Sequence, residues 1–239
     1  MPTAVVIDGA FFLRRFSRAF PDLDESNPKH IAAGVVAIAA YHAAAFLGWA
    51  PISSARAAIQ ARTENTELYR TFFYDCPPLM KRVHRPISGR SLNLGTTADA
   101  SLRLQVHAEL IKARKVALRL GRLSEALSTW RARPEAVKRW AAHPESFAPS
   151  DDDFELDVVQ KGVDMRLGLD VASMAFKKQV SRIILVAADA DFVPPAKLAR
   201  REGIDIVLDS MGARVAADLV QHVDGIRIAK IDRLFDGPF

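Results

Sequence analysis

"RIILVAADADFVPPAKLARREGIDIVLD", Arg182 to Asp209, is the stretch that decides the fold. "RIILVAA" is a continuous apolar run of strand length. "VPPAKLARREG" has the prolines of a helix's first turn and the glycine of its end. "IDIVLD" is a second apolar run. Strands that lack polar alternation are buried on both faces, as in a parallel sheet. Downstream, "ARVAADLVQHV" reads as a helix and "GIRIAKI" as a last strand. Upstream, "VDMRLGLDVASMAFKK" places apolar residues at 163, 167, 171, 174 and 175, close to helical spacing. "TAVVID" (Thr3–Asp8) and "ELYRTFFYD", ending at Asp75, are two further strands, the second stopped by "CPP". The class is α/β: a parallel sheet with helices on both faces.

The 239 residues are expected to form one domain, 49% hydrophobic and 26% charged, with the balance of an ordinary soluble protein. A lone cysteine, Cys76, cannot make an internal disulfide, and the start "MPTAVVIDGA" lacks a secretory pattern. Both point to the cytoplasm. The uncharged stretch Ile31–Ala50 has the length of a membrane span. It is rich in alanine and has His42 at its middle, so it is expected to be a packed helix, with no membrane partner.

Between "CPP" and "HPESFAPSDDDFELD" the character changes. Residues 78 to about 100 carry turn residues, and Ser101 to about Trp140 reads as basic helix broken near Gly121 and Pro134. A basic helical insertion is therefore expected at about 78–155. From Lys81 to Trp140 there are 14 Lys/Arg against 4 Asp/Glu, a net of +10, while the other residues sum to −5. Such asymmetry points to a polyanion, nucleic acid first. The scattered histidines, His42, His84, His107 and His143, offer no zinc spacing. His222 is expected to be a packed or capping residue, and no glycine-rich phosphate loop is present.

In open parallel sheets ligands bind at the carboxyl ends of the strands, where strand order reverses. Asp8 ends the first strand, Asp189 and Asp191 follow "RIILVAA", and Asp164 opens a helix. Asp75 and Asp209 also end strands, so position alone selects too many acids. Each has an ordinary reading too: a turn at Asp8, a helix dipole at Asp164, an N-cap at Asp191. Taken together, carboxylates gathered on one edge call for a hard cation, Mg²⁺ or Mn²⁺. Such an ion supports in-line phosphoryl chemistry, and a basic segment nearby suits a metal-dependent nuclease.

"VVIDGAFF", "FFYDCPP", "KGVDMRLGLDVASMA", "ILVAADADFVPPAKLARREGIDIVLD" and "LVQHVDGIR" together resemble the NYN domain family, in its LabA-like branch of the PIN-like (Rossmann-like) fold. The resemblance implies a Mg²⁺- or Mn²⁺-dependent ribonuclease with Asp8, Asp164, Asp189 and Asp191 as catalytic and metal-binding acids. It also implies a supporting role for Asp170. RNA phosphates would meet Arg103, Lys112, Arg114, Lys115 and Arg119 of the basic segment; a homo-oligomer is left open. Two positions depart from the pattern. Phe11 stands where the family has asparagine, and Ala187-Ala188-Asp189-Ala190-Asp191 replaces its Ser-Gly-Asp-Ser-Asp. The acids survive without their neutral hydrogen-bonding neighbours. The alternative is therefore an RNA-binding or regulatory module with weak or no catalysis. A phosphatase of the haloacid-dehalogenase type is disfavoured, because Ala10 stands where it needs a second aspartate.

Overall fold

Six strands hydrogen-bond side by side, every neighbouring pair parallel. The computed structural model describes residues 2–45, 68–123, 128–158 and 160–231. The sheet is built from β1 (Thr3–Asp8), β2 (Leu68–Asp75), β5 (Val116–Leu120), β10 (Arg182–Val186), β11 (Asp205–Asp209) and β12 (Gly225–Ile226). Their order is β12-β11-β10-β1-β2-β5. The chain steps outward through β1, β2 and β5, then returns to the middle and steps the other way. Strand order therefore reverses between β1 and β10, the place where such sheets open a crevice at their carboxyl ends.

The reversal also sorts the helices. Helices α1 (Gly9–Ala19), α2 (Pro28–Ala45) and α3 (Ala98–Lys112) cover the face carrying Val5, Ile7, Phe73, Ile184, Val186 and Val207. Helices α5 (Val163–Phe176), α6 (Val193–Arg201) and α7 (Ala217–Gln221) cover the face of Val6, Tyr74, Leu185 and Leu208. Crossovers between parallel strands are right-handed, so reversing direction along the sheet puts the helices on the other side. Alternate side chains of a strand serve the two cores, which is why "TAVVID" shows no polar alternation. Phe12 and Phe16 of α1 and Phe20 at its C-cap form one aromatic cluster with ring centroids 5.2–6.3 Å apart. Burying each such ring contributes about 1.5–3 kcal/mol.

The alanine-rich stretch forms α2 as far as Ala45, with Ile31, Val35, Ile38 and Ala39 buried against α1 and the sheet; its end, 46–50, lies outside the described residues. Among the described residues, no helix is long and apolar enough to cross a membrane.

The middle segment is not the helical insertion expected at 78–155. It supplies α3 and α4 (Pro134–Ala142), but also the sheet's outer strand β5 and short antiparallel pairs. Two of these join β3 (Arg82–His84) to β4 (Ser91–Asn93), and β7 (Thr129–Ala132) to β8 (Phe154–Asp157). The third pairs β6 (Arg122–Leu123) with β9 (Gln160–Lys161). The break between α3 and β5 falls at Lys115, which takes the left-handed φ of 60° usually signalled by glycine. Without that signal, "VALRL" reads as easily helical as extended.

The C-terminal elements are shorter than their patterns suggest: α7 has five residues and β12 two.

Candidate functional site

Asp8 ends β1, and the helix α1 begins at Gly9. A Cβ on Gly9 would lie 2.5 Å from the Tyr74 carbonyl oxygen and 2.7 Å from the Phe73 ring, so only glycine fits this turn. The Asp8 carboxylate caps α1, accepting from the Phe11 backbone N–H at 3.2 Å. Phe11 itself is 7% exposed and belongs to the core on the α1 side. The position where the resembled family has asparagine therefore points away from the acids. Burial raises the Asp8 carboxyl above the ordinary aspartate range. Nearby Asp164 adds to the rise; the Phe11 N–H and Arg14 oppose it.

Asp164 stands in the first turn of α5, whose preceding residue, Gly162, adopts a left-handed φ of 80°. Its carboxyl is also raised, by partial burial and then by the charges of Asp191 and Asp189. Those two lie in the turn between β10 and α6 and are exposed. Neither caps a helix through its side chain, so the N-cap reading of Asp191 fails. Asp164 links the acids picked from the sequence: its charge helps raise Asp8, and the charges of Asp191 and Asp189 help raise its own carboxyl.

The fit to a cation rests on the donors. Carboxylate oxygens that repel one another suit a hard divalent ion. Even so, among the described residues no group of three or more His, Cys, Asp or Glu is already arranged to hold a metal.

The remaining strand-end acids are spoken for. Asp75 is buried against His107 Nε2 at 2.7 Å and Arg103 Nε at 3.3 Å. Asp209, also buried, meets His42 Nε2 at 2.8 Å and accepts from the backbone N–H of Met211 and Ala229. The sequence reading missed both histidine partners, because each lies on a helix far away in the chain. His222 lies 3.4 Å from Asp218 within one helical turn, outside the acid cluster. Cys76 is buried.

Asp170 faces a different set of partners. One of its oxygens, Oδ2, accepts from the Tyr74 hydroxyl at 2.9 Å and from Arg119 Nε at 3.0 Å. Burial and the Asp170 charge hold the Tyr74 phenol far above its usual range, so it stays a donor.

The basic residues divide as well. Arg103 is held by buried Asp75, Lys112 pairs with Glu109 at 2.8 Å, and Lys115 donates to the Leu68 carbonyl. Arg114 and Arg119 are exposed. The basic segment also meets its own counter-charge. The connector from His143 to Val158 has six acids and no Lys or Arg. Its Asp153, Glu155 and Asp157 pair with Arg139 and Arg131. The net of +10, counted only as far as Trp140, overstates the cationic surface. A cavity of about 670 Å³ lies elsewhere, among Leu13, Phe16, Leu79, Arg103 and Val106, and touches none of the four acids.

A six-stranded parallel sheet with free carboxylates at its reversal point defines a PIN-like α/β fold with an acidic edge. Residues 134–227 match the NYN domain family model. The match includes Asp164, Asp170, Asp189 and Asp191, and does not single out the LabA-like branch. Asp8 lies outside it and joins the other acids through the pairing of β1 with β10. No curated protein and no solved structure matches the chain.

Proposed function

We propose that this protein is a cytoplasmic ribonuclease that depends on Mg²⁺ or Mn²⁺ and uses Asp8, Asp164, Asp189 and Asp191 to hold the ion, directly or through water. One observation carries the reading. Among six acids on the carboxyl edge, Asp75 and Asp209 are taken up by histidines, whereas Asp164 acts on Asp8 and feels the charges of Asp191 and Asp189. Repulsion of that kind is relieved by a cation. A bound divalent ion would supply an activated water and neutralise charge on a phosphodiester. The chain's own contribution is orientation: the Phe11 N–H fixes one lone pair of Asp8 and leaves its other oxygen for the ion.

The module reading keeps one supporting observation, the lack of a ready-made three-ligand group among the described residues. One assay separates the two: cleavage of labelled single-stranded and structured RNA with Mg²⁺, Mn²⁺ or EDTA, by wild type and Asp189→Asn. The nuclease reading expects cutting that EDTA abolishes and that Asp189→Asn slows by about 100-fold. Cutting at the wild-type rate in Asp189→Asn would overturn the site. Salt-sensitive binding without cutting would favour the module.

A further inference from the structure

Asp8, Tyr74 and Arg119 occupy one row across three adjacent strands. Asp8 of β1 is in register with Tyr74 of β2, and Tyr74 with Arg119 of β5. Registered residues of parallel strands point to the same face, here the face covered by α5. With strands about 4.8 Å apart, Arg119 starts about 10 Å from Asp8 along the carboxyl edge. The helix measures a similar distance: Asp164 and Asp170 are six residues apart on α5, about 9 Å of rise. One end of this span is the acid cluster, and the other is the Tyr74–Asp170–Arg119 contact.

Arg119 is held there by two contacts, one of them braced from behind. Its Nε donates to Asp170, its guanidinium lies over the Phe72 ring at 5.4 Å, and Phe72 stacks on Tyr74 with centroids 6.4 Å apart. The side chain is nevertheless 43% exposed. Using Nε for Asp170 leaves the two terminal amino groups, the pair that binds a phosphate in bidentate fashion. An exposed ion pair made only for stability would be worth about 0–1 kcal/mol. Holding a planar donor ready beside an anion site is a stronger use of the same contact.

We propose that Arg119 binds an RNA phosphate flanking the one held at the acids, and that Asp170 and Tyr74 are the positioning residues that aim it. This rests on the ribonuclease reading, and it makes the supporting role of Asp170 the positioning of Arg119. Asp170 shares a single oxygen between phenol and guanidinium, so loss of its charge frees Arg119 while an amide oxygen can still accept from Tyr74.

The test is binding of a labelled single-stranded RNA in EDTA, by fluorescence anisotropy across a salt series, with KM and kcat measured in Mn²⁺. Arg119→Gln should weaken binding about tenfold and make the salt dependence shallower by about one counterion. Its KM should rise more than its kcat falls. Arg119→Lys should keep the salt slope and regain only part of the affinity, since a point charge lacks the fork. Asp170→Asn should also raise KM with little change in thermal midpoint, and it is the second variant if Arg119→Gln does not fold. Wild-type affinity and slope in Arg119→Gln, or in Asp170→Asn where that variant stands in, while wild type binds and cuts RNA, would overturn this inference alone. Wild type that neither binds nor cuts RNA would overturn the ribonuclease reading and this inference with it.

Discussion

Asp75 and Asp209 are strand-end aspartates on the same sheet edge as Asp8. Their fates differ because of strand parity. Asp75 follows Phe73 by two residues and Asp209 follows Val207, so both point to the face of α2 and α3. There His107 of α3 and His42 of α2 meet them. Asp8 follows Val6 by two residues, on the face of α5, where the charges of Arg14 and Asp164 act on it and, among the described residues, no histidine pairs with it. A carboxylate at a strand end becomes part of the frame when its face offers a buried base. It stays chemically available when its face offers none. Position on the edge nominates an acid; the face it points to decides its use.

The largest expected effect lies on the framework side of this comparison. His42→Ala removes the side-chain partner of a buried carboxylate, and breaking such a pair costs about 3–5 kcal/mol. Urea unfolding should show that loss. A loss below 1 kcal/mol would mean that the Met211 and Ala229 N–H groups hold Asp209 unaided. On the available side, Asp189→Asn should leave the urea midpoint where it is, because the side chain is exposed. It should slow RNA cleavage by about 100-fold, or about 2.7 kcal/mol in barrier. If Asp189→Asn unfolds as readily as His42→Ala, the division between the two sets of acids collapses.

A smaller effect concerns Ala190, exposed between the two acids of the turn. Ala190→Ser returns the hydroxyl that the resembled family carries there. Groups that orient metal ligands change affinity by about 10–100-fold, and a single exposed hydroxyl belongs at the low end. Mn²⁺ titration should show tighter binding, by up to about tenfold. Unchanged affinity would show that the missing serine does not limit the site.

Much of this was legible in the chain. The apolar runs from Arg182 to Asp209 carry the parallel sheet, and the turns after "TAVVID" and "RIILVAA" carry its acids. What could not be read depends on contacts across the fold. His42 and Asp209 are 167 residues apart in sequence, and nothing local marks them as partners. Tyr74 reads as one more aromatic of a buried strand until α5 brings Asp170 against its hydroxyl. β5 was hidden for a local reason: five residues, a basic neighbourhood, and a left-handed lysine where a glycine would have signalled the turn. The basic segment's charge is partly met by the acidic connector just beyond Trp140, a pairing that a local run of charges does not reveal.

The smallest effect is on protonation, and it divides the acids once more. Asp8 and Asp164 have raised pKa values in the folded protein, chiefly through burial. A raised folded value means that the native state keeps its proton at a pH where the unfolded chain has lost it. These two therefore weaken the fold once ionised, and that cost is relieved as pH falls through their folded values. Asp153 behaves the other way. The Ser150 backbone N–H, first among its causes, lowers its carboxyl, so its contribution is present above the unfolded range and lost as pH falls through the lowered value. Cation binding needs the ionised forms of Asp8 and Asp164. Mn²⁺ affinity should therefore begin to fall on acidification above the range of an ordinary aspartate, before Asp153 titrates. Asp164→Asn removes one of the charges that raise Asp8. A carboxyl-carbon NMR titration without metal should find Asp8 shifted down by this change, yet still above the ordinary value because its burial remains. No movement of Asp8 would mean that the two carboxylates do not share a site.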